Sequence, residues 1–102
     1  MYAFSVDVPM PVEQYTAVMD ALKADGNNAP AERLLHFCTP TADGFRITEV
    51  WESHEAVDRY GDTVIGPTIA RVVGADAVAG GPPPNQEFDL IGLQVRADRL
   101  LP

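Results

Sequence analysis

The chain has 102 residues, with seven Lys and Arg against fifteen Asp and Glu, for a net charge of −8. That length supports a single domain over 1–102, because two separate cores would be too small to hold themselves together. The acidic balance, without a basic cluster, excludes nucleic acid and anionic membrane surfaces as partners, and no apolar run approaches the roughly 20 residues of a bilayer span.

Tyr2, Phe4, Val6 and Val8 alternate with Ala3, Ser5 and Asp7. A period of two in aromatic and β-branched residues predicts a strand, ended by Pro9 and Pro11. Val12, Tyr15, Val18, Met19 and Leu22 then recur at helical spacing. Pro11 suits a first helical position, and Gly26 suits a left-handed residue just past the end. The spacing predicts a helix over 11–24, followed by a loop from Asn27 to Ala31.

Arg33 to Pro40 and Phe45 to Glu52 are two strand-like runs separated by Ala42, Asp43 and Gly44. Asp-Gly between such runs predicts a hairpin, with Asp43 and Gly44 central in a type I′ turn. In that register Thr39 opposes Thr48, Cys38 opposes Glu49, Phe37 opposes Val50 and His36 opposes Trp51. His36, Cys38, Ile47, Glu49 and Trp51 then share one face. Leu35, Phe37, Thr39, Thr48 and Val50 share the other.

Ser53 is a candidate N-cap, with Glu55 in the first turn where the helix dipole favours a carboxylate. Gly61 and Gly66-Pro67 are expected to interrupt this helix. A second helical segment is expected from Pro67 to Gly74, carrying Ile69, Val72 and Val73. Residues 75–85 contain Gly80-Gly81-Pro82-Pro83-Pro84 and read as a mobile linker within the domain. Phe88 to Val95 reads as the last strand. The order is βαββαβ, which predicts an α+β, ferredoxin-like domain with helices on one face of an antiparallel sheet. The other face would be left bare and apolar, so a homodimer packed sheet to sheet is expected.

From Asp43 to Tyr60 the chain reads D-G-F-R-I-T-E-V-W-E-S-H-E-A-V-D-R-Y. A hairpin turn, a strand ending in Trp-Glu-Ser and a following Glu-Ala-x-Asp-x-aromatic resemble the dimeric α+β-barrel superfamily. The likeness is to its antibiotic-biosynthesis-monooxygenase-like branch, particularly small actinobacterial members. It covers the chain by element order and about 25 residues by motif. The resemblance implies a dimeric barrel and an activity on aromatic or polyketide-like molecules, with O₂ and no cofactor. Other members of the superfamily isomerise or decarboxylate small lactones and phenols, and some cleave haem. In the haem-cleaving members an aromatic would map onto Tyr60, and a ligating His would fall near Ala70 or Thr68, neither of which can ligate iron. Their active-site Asn would fall near Ser5 or Asp7. Haem is therefore not expected.

His36, Glu49, Trp51 and Cys38 form the one convergent polar group that this hairpin builds. His36 is the candidate base, since imidazole titrates near neutral pH, and Glu49 lies diagonal to it as an orienting carboxylate. Trp51, Tyr15, Tyr60 and Cys38 are candidate walls of a substrate pocket. The plainer account is a satisfied histidine on a sheet face, in a non-catalytic small-molecule-binding or structural dimer. Cys38 and His36 are two apart on a strand, roughly 7 Å, which is poor for a nucleophile pair. His54-Glu55-Ala56-Val57-Asp58 misses the zinc pattern H-E-x-x-H at its last position, so no metal is expected. Arg46 is expected to be a solvated strand residue. No phosphate-binding glycine loop or nucleophile elbow is present, and no cofactor is expected. The first ten residues do not read as a signal peptide, and the lone cysteine suits a reducing compartment; a cytoplasmic protein is expected.

Overall fold

The alternating run at the start of the chain forms β1 (Tyr2–Val8) in the computed structural model, which describes residues 1–95. The remainder of the domain expected over 1–102 lies outside the described residues. Pro11 stands immediately before α1 (Val12–Ala24) with φ −59°, rather than inside it. The helix ends in a two-bond cap. Gly26 adopts φ 75°, Asn27 N–H reaches Leu22 O at 2.8 Å and Gly26 N–H reaches Lys23 O at 3.1 Å. Only glycine takes that left-handed position without a steric penalty. Val18 and Leu22 are buried, whereas Val12 is exposed.

β2 (Arg33–Pro40) and β3 (Phe45–Trp51) form the expected hairpin, but its register is two residues from the expected one. Cys38 opposes Ile47, Phe37 opposes Thr48 and His36 opposes Glu49. The turn is the cause. Thr41 N–H donates to Gly44 O at 2.9 Å, and the Thr41 hydroxyl accepts Gly44 N–H at 3.1 Å, so Thr41 to Gly44 close the loop. Gly44 does not have positive φ, and no I′ turn forms. It is needed for a close approach instead: a Cβ there would meet Val8 O, and Met10 N and O at 2.7 Å. Because side chains alternate with period two, a slip of two leaves each on its expected face.

Ser53 caps α2 (His54–Tyr60), its hydroxyl accepting Ala56 N–H at 3.1 Å. The expected interruption after Tyr60 does not occur. A π-helical turn, Gly61–Ile65, joins α2 to α3 (Gly66–Val72) without a break. Proline at 67 has no N–H to donate back along the helix, and the turn absorbs this by adding a residue, with Gly66 N–H bonded to Gly61 O. A 3₁₀ turn, Ala75–Ala77, lies within the segment expected to be a linker.

The last strand, β4, is Gln86–Phe88 rather than 88–95. It pairs with β1 in a register that sets Phe88 against Ala3. Two residues further on it would run past the start of β1, so a strand extending to Val95 has no partner there. The result is an α+β fold with a four-stranded antiparallel sheet in the order β2-β3-β1-β4, compatible with a ferredoxin-like plan. The helices cover the face bearing Phe4, Glu49 and Trp51. The opposite face carries Leu35, Phe37 and Phe88, with Phe37 46% and Phe88 41% exposed. Arg46 and Asp7 pair across that face at 2.6 Å, both largely exposed. Among the described residues no helix is long and apolar enough to cross a membrane.

Candidate active site

Between the helices and the covered sheet face lies a cavity of about 520 Å³. Its walls are mostly apolar: Phe4 and Val6 from β1, Met19 from α1, Phe45 from β3, Ile69 from α3. Such a cavity takes the apolar body of a small molecule, and its few polar groups set orientation. Residues 75–85 rim it through Val78, Pro82 and Asn85, which their glycine- and proline-rich composition does not suggest.

The polar groups are joined in one chain. Tyr15 hydroxyl lies 2.6 Å from His36 Nε2. His36 Nδ1 lies 2.5 Å from Glu49 Oε2. Trp51 Nε1–H donates to Glu49 Oε1 at 2.9 Å, and Arg33 Nη1 reaches Glu49 Oε2 at 3.4 Å. Burial alone would push the Glu49 carboxyl up. Hydrogen bonds from His36 and Trp51, with the Arg33 charge nearby, outweigh that and hold it below its ordinary value. An ionised carboxylate only accepts, so His36 Nδ1 carries the proton of that bond. His36 Nε2 in the neutral ring is then the acceptor for the Tyr15 hydroxyl. Burial, then the neighbouring Cys38, push that hydroxyl up to about 12.

His36 and Glu49 are thus directly opposed, not diagonal, as the shifted register requires. Tyr15 is brought onto His36, its ring nearly parallel to the imidazole at 6.0 Å between centroids. Trp51 is 1% exposed and borders the cavity. Tyr60 presents its ring, at 5.4 Å from that of Trp51, but its hydroxyl is bonded to Asn27 O at 2.5 Å. Cys38 is not among the residues that border the cavity, and burial pushes its thiol up, so it is neither an accessible wall nor an activated nucleophile. His54 is exposed, stacked on Tyr2 at 4.3 Å, and 3.5 Å from Asp58. Among the described residues no cluster of three metal-ligating side chains occurs.

Two contributors escape the sequence reading. Arg33 is three residues before His36, which in a regular strand puts it on the opposite face. A bulge between Arg33 and Leu35 sets Arg33 against Trp51 and so returns it to the cavity side. Gln14 borders the cavity, and its buried Oε1 has no hydrogen-bond partner among the described residues. No short-range signal marks the bulge; Gln14, one residue before Tyr15, could have been flagged as polar on a helix side that faces the sheet.

No family model, curated protein or solved structure matches the chain.

Proposed function

We propose that the chain is a small homodimeric enzyme acting on an aromatic or polyketide-like molecule, in the manner of a cofactor-independent monooxygenase. The observation that carries this is the join of a largely apolar cavity to a histidine oriented by a buried carboxylate. His36 takes up a substrate proton, Glu49 stabilises the imidazolium that forms, and the apolar walls hold an aromatic body. A carbanion or enolate made in that way is the species that reacts with O₂ in cofactor-free oxygenation. The homodimer is supported by the exposed rings of Phe37 and Phe88 on the sheet face turned away from the helices, where Ala3 and Val50 are already buried. A second copy laid sheet to sheet covers the two rings, and completes the barrel that the Trp-Glu-Ser resemblance implies.

The test is O₂ uptake with a panel of polycyclic phenols, run on the wild type and His36→Gln. Turnover of at least one phenol is expected, with a loss of about 10²-fold or more in the variant. Full activity in folded His36→Gln removes His36 from the chemistry. A second reading, a non-catalytic binding dimer, is favoured by one fact: both ring nitrogens of His36 are already bonded within the protein. Tight binding of a phenol without O₂ uptake would establish it.

A further inference from the structure

Both nitrogens of His36 are engaged, Nδ1 by Glu49 and Nε2 by Tyr15. Neither is left to receive a proton directly from a molecule in the cavity. The Tyr15 oxygen is different. A hydroxyl has one donor and two acceptor positions, and in the bond to Nε2 it spends only its donor. Tyr15 also borders the cavity. The end of the chain that has acceptor capacity to offer a ligand is therefore the tyrosine.

We propose that Tyr15 is the residue that meets the substrate, that the substrate carries an acidic hydroxyl of the phenol or enol class, and that its proton reaches His36 through the Tyr15 oxygen. This rests on the cavity being a small-molecule site. The step is a double transfer. The ligand O–H bond breaks as a new O–H bond forms on Tyr15. The original Tyr15 O–H bond breaks as its proton binds His36 Nε2. The ligand becomes an anion, Tyr15 is neutral before and after, and the imidazolium lies against ionised Glu49. No electron is gained or lost.

The arrangement after transfer is hydrogen-bonded throughout: Tyr15 donates to the ligand oxyanion, and His36 Nε2–H donates to Tyr15. A stand-alone tyrosinate is not needed, which matters because burial pushes the Tyr15 hydroxyl to about 12. The charged groups facing the same space are Arg33 on β2, Glu49 on β3, Asp58 on α2 and Asp62 in the π turn. Arg33 and Glu49 lie 3.4 Å apart and offset one another. A hydroxyl is the group this chain fits; a ligand acid such as a carboxylic acid is already ionised at neutral pH and brings no proton to transfer.

The probe is alizarin, a flat dihydroxyanthraquinone whose absorption moves to longer wavelength when its phenol ionises. It is titrated at a pH about one unit below its own first pKa, with the wild type, Tyr15→Phe and His36→Gln. The bound probe on the wild type is expected to show the anion band, with an anion-to-neutral ratio at least about tenfold that of the free probe. The ¹⁵N signals of His36 should move to imidazolium positions as the probe binds. Tyr15→Phe keeps the ring, so it should still bind the probe but leave it neutral. His36→Gln should do the same, because the proton then has no destination. An undiminished anion band on folded Tyr15→Phe overturns the relay. Wild-type binding of the neutral probe overturns it too, and leaves the cavity a binding site. No binding by the wild type overturns the cavity reading and the relay together.

Discussion

His36 and Trp51 hold opposite oxygens of one carboxylate: Trp51 Nε1–H donates to Glu49 Oε1 at 2.9 Å, and His36 Nδ1 to Oε2 at 2.5 Å. The carboxylate is therefore fixed in rotation as well as position. The imidazole is fixed with it, with Nδ1 protonated and Nε2 turned to Tyr15. Trp51→Phe removes the donor to Oε1, leaves that oxygen buried and unpaired, and opens space where a fully buried ring stood. The expected loss is about 2–3 kcal/mol by urea denaturation. A loss under about 0.5 kcal/mol would mean that Glu49 Oε1 finds another partner.

The folded-state pKa of Glu49 lies below its ordinary value of 4.5. A group with a depressed folded pKa contributes stability that is present above its unfolded pKa and is lost as pH falls through the folded value. The melting temperature should therefore fall as pH drops below about 4.5. Glu49→Gln should be less stable near neutral pH and show a flatter dependence below that point. Parallel curves for the two proteins would assign the acid sensitivity to other carboxylates.

Gly44→Ala places a methyl against the Val8 carbonyl and within 2.7 Å of Met10 N and O. These are backbone atoms, so the hairpin end or the turn after β1 has to move. A cost of about 2–3 kcal/mol is expected, in the range of overpacked cores, measured by thermal or urea unfolding. Gly61→Ala, where nothing stands within 4 Å, is the control and should change stability little.

Phe37→Lys puts a charge on the sheet face turned away from the helices, on the edge strand β2 and opposite Thr48. The wild type should sediment at low micromolar concentration as twice the chain mass of 11.0 kDa, and the variant at once that mass. A wild-type monomer at that concentration would remove the homodimer.

Ser53→Ala deletes the acceptor for Ala56 N–H at 3.1 Å. It should cost about 1 kcal/mol by urea denaturation, the usual effect of losing a helix N-cap.

Local pattern carries much of this fold. The period-two runs of β1 and β3, the helical stripe of α1, Gly26 and Ser53 each act within a few residues, and each forms as its chemistry requires. The pairing of His36 with Glu49 was legible because faces survive a slip of two, although their direct opposition was not. What pattern alone misses depends on longer-range geometry. The strand expected at 88–95 fails because β1 ends, which Phe88 cannot register. Arg33 reaches Glu49 through a bulge that breaks the alternation used to place it. Tyr15 bonds His36 across 21 residues of sequence, a distance set by how α1 lies on the sheet.

The π turn at Gly61–Ile65 changes which residues roof the cavity. Val57 and Tyr60 face the cavity before it, Gly61 and Ile65 within it, and Ile69 and Val73 after it. An unbroken α-helix continuing from Val57 and Tyr60 would bring 64 and 68 to that side. The extra residue thus indexes the second half of the roof forward by one. Winding the same residues as unbroken α-helix, with none removed, would turn Ile69 off the cavity and bring round Thr68, now buried elsewhere, whereas deleting one residue of the turn would keep Ile69 inward. Which apolar side chains of α3 roof the cavity is therefore set by one inserted residue in a helix rather than by any residue that touches the proton chain.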